Sequence, residues 1–476
     1  MSLRQSFIAG IRWTSLASFV SVALGIIQVA ILARYLEKSD FAWVAIAGIF
    51  INTATQLQFA GVNAALIQQP QNTPTALSSL YWLNISIGVL LFIIITIFAP
   101  VLAEIYNNNV LISITITYAV TLLLQSFSVQ YKALLQKELQ FNILSTGELA
   151  GTLAGFMLTC WAALQGWGAF ALVAGYLTRS MVETSIIISR GRYLFRPDFT
   201  FQYHTIQPYL VFSRFHWAER ILVQIGGQLD LLIIGKLLGS EALGVYDLFK
   251  RTLVRPFTLI SDIIEKITFP TLVKLQTNVI KQKSIYFQLL TYLSTINLPI
   301  IISLIIAAEP IIHIYFGADW VEYTIIFQLL CIFCIFHYVL NPADVLLLAQ
   351  NKIKYWLLSN IYLIPLQVFM LIVGTEWGLY GAAVANVITF AIFTLVVYNW
   401  LLLPSLHSNV TEWLATLRMP FFIALFSIIL PIFLLFLSAY TINALILFLI
   451  FIIIYGLFTV IFNKDFIMLI RQFIRK

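Results

Sequence analysis

Apolar runs of 20 or more residues follow one another along this chain from Trp13 to Phe462. A helix of that length crosses the roughly 30 Å hydrocarbon core of a bilayer. The chain is 61% hydrophobic and 10% charged, with mean hydropathy +0.94. No soluble domain of 476 residues has such a composition. The expected fold class is an all-α integral membrane protein. The first run, about 23 residues after Arg12, is too long for a signal-peptide core and shows no small-residue cleavage site. It is expected to persist as the first helix.

Fourteen spans are predicted, at 13–34, 41–66, 77–102, 110–131, 143–165, 168–189, 207–235, 242–273, 285–308, 321–349, 355–374, 378–403, 419–440 and 442–462. The excess of Lys and Arg on cytoplasmic loops tests that count. With the N-terminus inside, the inner segments hold 17 of the 27 basic residues. These are Arg4 and Arg12; Lys132 and Lys137; Arg190, Arg192 and Arg196; Lys274, Lys281 and Lys283; Lys352 and Lys354; Arg418; and Lys464, Arg471, Arg475 and Lys476. The outer segments hold Arg34, Lys38 and Lys236. One missed span would invert every later assignment, so both termini are expected in the cytoplasm. The net charge of +7 then reflects loops facing anionic lipid, and no nucleic-acid partner is expected.

The chain repeats itself. Ile31-Leu-Ala-Arg-Tyr-Leu36 followed by Phe41-Ala-Trp resembles Ile233-Ile-Gly-Lys-Leu-Leu238 followed by Leu243-Gly-Val, and Trp167-Gly-Ala-Phe-Ala171 resembles Trp377-Gly-Leu-Tyr-Gly381. Both matches fall at the outer ends of helix pairs six spans apart. An even separation preserves orientation, so the copies are parallel repeats about an axis along the membrane normal. The expected organisation is an N-lobe at 1–195 (spans one to six) and a C-lobe at 196–403 (spans seven to twelve). Spans thirteen and fourteen with a cytoplasmic tail follow at 404–476.

Residues 208–275 hold fourteen of the 47 Lys, Arg, Asp and Glu residues. Charges inside a membrane helix are costly and face protein or water. At 100° per residue, Asp247, Arg251, Arg255, Asp262, Glu265 and Lys266 share one arc of the eighth span, with Lys250 beside it. His216, Glu219, Arg220 and Asp230 share an arc of the seventh. Arg220, Lys250, Arg251 and Arg255 suit an anion, above all phosphate, which Arg meets with a bidentate fork. Acids and bases nearly balance, so a structural ion-pair network locking two helices is the competing interpretation. In the N-lobe, Glu148, Arg179 and Glu183 add charge, and Arg179 and Glu183 are spaced as a helical i,i+4 pair. Asp344, after Asn341-Pro342, is either an ion-coupling acid or a solvated helix end.

Pro256, Pro270, Pro299, Pro365 and Pro431 fall inside spans, where proline kinks a helix. Cys331 and Cys334 sit among Ile and Phe with no ligand partner nearby, so they are taken as core residues. His337 is expected to be a satisfied or pore-facing histidine. No metal-ligand spacing occurs, and neither metal nor cofactor is expected.

Several stretches together resemble the polysaccharide-type, Wzx-like branch of the multidrug/oligosaccharidyl-lipid/polysaccharide exporter superfamily. They are Glu219-Arg220, Gln228-Leu-Asp230, Ile234-Gly-Lys-Leu-Leu-Gly239, Ala242-Leu-Gly-Val-Tyr246, Pro256 and Phe269-Pro-Thr-Leu-Val-Lys-Leu-Gln276. Met1-Ser-Leu-Arg4, Ile31-Leu-Ala-Arg-Tyr-Leu-Glu37 with Asp40-Phe41, Leu80-Tyr-Trp-Leu-Asn84 and Gln130-Tyr-Lys-Ala-Leu-Leu-Gln-Lys-Glu-Leu-Gln-Phe141 are similar to its colanic-acid exporter subgroup. The resemblance runs to about residue 400. It implies a flippase, not an enzyme, for undecaprenyl-pyrophosphate-linked oligosaccharide in the bacterial inner membrane, serving surface-polysaccharide biosynthesis. It names no functional residue.

From the charges, Arg220, Lys250, Arg251, Arg255 and His216 are the expected substrate-binding residues, facing a cationic cavity between the lobes. Glu219, Asp230, Asp262 and Asp344 are the candidates for coupling a proton or sodium ion. Polymerase and chain-length components of a polysaccharide assembly machinery are the protein partners considered. The competing functions are a cation-coupled multidrug exporter, which mid-membrane basic residues disfavour, and an integral-membrane polymerase or ligase. The outer loops near 103–109 and 309–320 are short and carry no Arg or Lys, unlike those of such enzymes.

Overall fold

A computed structural model of the protein describes residues 3–60, 66, 73–207, 224, 226–275, 278–340, 342–350, 352–437 and 455. Among them the regular structure is helical throughout. The helices are α1 (Leu3–Leu32), α2 (Lys38–Ala60), α3 (Pro74–Ile105), α4 (Val110–Ser126), α5 (Val129–Lys137), α6 (Phe141–Leu164), α7 (Ala169–Gly191), α8 (Leu229–Leu237) and α9 (Gly239–Lys274). There follow α10 (Val279–Ile306), α11 (Ala308–Tyr315), a 3₁₀ turn (Ala318–Tyr323), α12 (Thr324–Leu340), α13 (Ala343–Ala349), α14 (Ile353–Thr375), α15 (Gly378–Val397) and α16 (Val410–Leu437). A π turn, Tyr398–Leu402, extends α15.

Seven helices among the described residues are long and apolar enough to cross a membrane, or eight if the bent pair α4 and α5 is one span. Their ends follow local chemistry. Thr73 caps α3 by accepting the Ala76 amide at 3.2 Å, with Pro74 at the first helical position. Asn278 caps α10 through the Lys281 amide at 3.0 Å. Each cap satisfies a donor that the first turn leaves open.

The prolines do not end the helices. α3 continues through Pro100, α10 through Pro299 and α14 through Pro365. The bend among the described residues lies elsewhere. α4 and α5 meet at 43° across residues 127–128, within the predicted fourth span.

Two compact units divide the chain, Met1–Leu248 and Phe249–Lys476. In the first, α3 packs on α4, α4 on α7, and α6 on α7, with α1 against α6. In the second, α10 packs on α12, α12 on α15, and α14 on α15, with α16 against α10. The predicted spans three-four, four-six and five-six thus pair as nine-ten, ten-twelve and eleven-twelve do.

The two matched Trp-Gly turns are built alike. Gly168 has φ +53° and ψ −135° ahead of α7, and Gly378 has φ +69° at the start of α15. An L side chain is strained in such backbone. Beyond each turn the helices approach through glycine. A Cβ on Gly155 would lie 2.7 Å from the Gly175 carbonyl oxygen, and one on Gly374 would lie 2.6 Å from that of Gly381. Without a hydrophobic force between helices in lipid, such close backbone contact supplies the packing.

Candidate functional site on the polar helices

α8 and α9 carry the charge-rich segment. Asp230, in the first turn of α8, has no exposed surface. Its Oδ1 accepts the Leu231 amide at 3.0 Å and its Oδ2 accepts the Tyr246 hydroxyl of α9 at 3.0 Å. A carboxylate is favoured at a helix N-terminus, and here it also ties α8 to α9.

Asp247, Arg251 and Arg255 recur every fourth residue of α9 and so form one stripe along it. Asp247 is buried, Lys250 and Arg251 are half-buried, and Arg255 is exposed. The Lys250 ammonium lies 5.8 Å from the Phe333 ring centroid on α12, a cation–π distance. That ring is also 5.8 Å from the His337 imidazole. Asp262 belongs to helical backbone of α9 and Asp344 to α13, while their side chains, with His216, Glu219 and Arg220, lie outside the described residues.

A second polar assembly joins the two matched helix turns, all within the first unit. The Lys38 ammonium, at the start of α2, is 3.1 Å from Glu241 at the start of α9. The Lys236 ammonium donates to the Ile105 carbonyl at 2.6 Å, and the Tyr106 hydroxyl to the Leu232 carbonyl at 3.2 Å. Burial pushes the Tyr106 phenol up to about 12. Gly244 packs directly on the Lys38 backbone, where any Cβ would collide with the carbonyl oxygen. Asp40 accepts the Glu37 amide at 3.1 Å and touches the Gly168 turn. Burial raises its carboxyl above the usual value, against the lowering pull of amides at Glu37 and Ala169.

Pairing across helices also redirects charges that sequence spacing had placed. Glu183 of α7 takes Lys132 of α5 at 2.5 Å, four helical positions from Arg179. Around the α4–α5 bend, Gln125 donates to Ser180 at 3.0 Å and Thr184 to Ser128 at 3.2 Å. The count of inner basic residues had placed Lys132 on an inner loop, whereas the structure puts it on α5.

Residues 31–325 match the family described as polysaccharide biosynthesis protein. The chain belongs to that family. It is 32% identical over 423 residues to a membrane protein in the cps region of Klebsiella pneumoniae, covering 88% of this chain and 87% of the relative. It is 27% identical over 426 residues to the lipopolysaccharide biosynthesis protein WzxC of Escherichia coli K12, covering 89% and 87%. Its fold is that of the lipid II flippase MurJ in the inward closed conformation, with a TM-score of 0.76 at 17% identity, over 95% of this chain and 99% of that one. Family membership and the apolar helices make this a multi-pass membrane protein.

Proposed function

We propose that this protein is a flippase that moves polyprenyl-pyrophosphate-linked oligosaccharide across a bacterial inner membrane for surface-polysaccharide biosynthesis. The observation that carries the reading is the row of cations on α9, a helix of a family member that aligns with WzxC over most of both chains. Lys250, Arg251 and Arg255 neutralise the pyrophosphate, and Arg220 and His216 are the further residues assigned to substrate binding. A bidentate guanidinium contact suits each phosphate. The sugars stay with this polar face and the polyprenyl tail remains in lipid. The chain transports and performs no bond-making step.

The finer architecture belongs to the same proposal. It has fourteen spans, with lobes at 1–195 and 196–403 followed by two further spans, and both termini are cytoplasmic. The recurrent packing order of the helices supports it. The two lobes rock as parallel repeats, and an acid among Glu219, Asp230, Asp262 and Asp344 carries a proton or sodium ion. The test is translocation of a labelled polyprenyl-pyrophosphate oligosaccharide in proteoliposomes, with and without a pH gradient. Arg251→Ala and Arg255→Ala should each abolish translocation and complementation of a flippase-null strain at normal protein levels. Full activity of both variants sinks the phosphate assignment, and transport of ethidium-type cations in place of the lipid sinks the substrate.

A further inference from the structure

We propose that the segment from Arg190 to Tyr203 is a docking surface for the anionic phospholipid headgroups of the leaflet it borders. It follows the last turn of α7 as an extended strap and is pinned to the first turns of α3. The Asp198 amide donates to Ser78 Oγ at 3.2 Å, the Trp82 indole donates to the Asp198 carbonyl at 2.9 Å, and the Gln202 amide donates to Ser79 Oγ at 2.9 Å. Phe195 is buried, its ring 5.9 Å from Tyr81 and 6.0 Å from Tyr131. The strap is therefore a fixed ledge.

What the ledge presents is interfacial chemistry. Phe199 is 93% exposed, Tyr193 64%, Tyr203 57% and Phe201 56%. Arg190, Arg192 and Arg196 are exposed among them, with Asp198 the one acid in the segment. Phe199 rests one face on the Trp82 ring at 5.1 Å, yet it and three other rings stay largely exposed, which a pinned backbone that already buries Phe195 would not need in water. Rings and arginines together suit the headgroup layer, where aromatic residues anchor a protein and basic residues meet phosphate. Position agrees with composition. The strap ties the end of α7 to the beginning of α3, and both are helices long and apolar enough to span the bilayer. It therefore lies at the depth where lipid phosphates sit. This inference rests on the membrane fold and is independent of the transported substrate.

The test uses the purified full chain. Native mass spectrometry would titrate phosphatidylglycerol, phosphatidylcholine and a short-chain polyprenyl pyrophosphate against three proteins. These are the unaltered chain, an Arg190→Gln/Arg192→Gln/Arg196→Gln variant, and a control Lys352→Gln/Lys354→Gln variant that loses charge elsewhere. The expected result is a loss of phosphatidylglycerol affinity of about a hundredfold in the triple variant. Phosphatidylcholine binding should stay unchanged, and the control should lose clearly less phosphatidylglycerol affinity than the triple variant. A Phe199→Ser/Phe201→Ser variant, with its melting temperature retained, should weaken both phospholipids alike. Unaltered phosphatidylglycerol affinity in the triple variant overturns the proposal, as does an equal loss in the control. Loss confined to the polyprenyl pyrophosphate overturns it too, because the arginines would then serve the substrate.

Discussion

At the scale of single residues, burial and partners separate roles that the sequence leaves alike. Asp230 and Arg255 both belong to the charge-rich segment. Asp230 is fully enclosed and holds the Tyr246 hydroxyl, whereas Arg255 is exposed. Asp230→Ala removes the acceptor from a buried tyrosine and should cost about 1–3 kcal/mol, read as a lowered melting temperature in detergent. Asp230→Asn keeps an oxygen for Tyr246 and should lose less. Glu412, ahead of the apolar part of α16, receives Lys283 at 2.6 Å and the Ser408 hydroxyl, and these two bonds, Lys283 first, hold its carboxyl below the usual 4.5. A lowered folded-state value means the stabilisation is present above pH 4.5 and fades as pH falls through the folded value. Melting curves taken downward from pH 6 should therefore steepen below pH 4.5 in the native chain. Lys283→Gln should flatten that decline.

At the scale of helices, the turns that the repeat matched turn out to meet each other. The contact has a backbone part, Gly244 on Lys38, and a charged part, Lys38 with Glu241. The ion pair is largely solvated on the glutamate side and contributes under about 1 kcal/mol, so the glycine contact governs. Gly244→Leu should separate the two turns at a cost of about 1–3 kcal/mol from overpacking. It should also raise thiol labelling of a cysteine placed at Glu241. Lys38→Ala should change that labelling little. The bend at 127–128 was not legible because no proline or glycine marks it. Polar bonds between neighbouring helices, such as Thr184 with Ser128, surround that bend. The prolines named from the sequence lie at other places, and α10 and α14 continue through Pro299 and Pro365.

At the scale of the whole molecule, orientation is the property to test first. In the proposed topology, a cysteine at Asn108 reacts with an impermeant maleimide from outside intact cells, and one at Ser189 reacts only after permeabilisation. The opposite pattern would invert every span. The native thiols Cys331 and Cys334 are buried and Cys160 is half-buried, which favours a clean background. The all-helical membrane class, the approximate ends of the described helices and the charged α9 stripe were all readable from the sequence. Hydropathy, charge bias and helical phase are properties of neighbouring residues along one strand of chain, and lipid forces them to be explicit. Tertiary structure alone decided that Glu183 takes Lys132, that Tyr246 takes Asp230, and that Gly244 rests on Lys38. It also left Phe199 outside a strap whose neighbour Phe195 is enclosed. Each of these depends on which helix faces which at a few ångströms, and in a chain of repeated apolar runs many such pairings share the same local pattern.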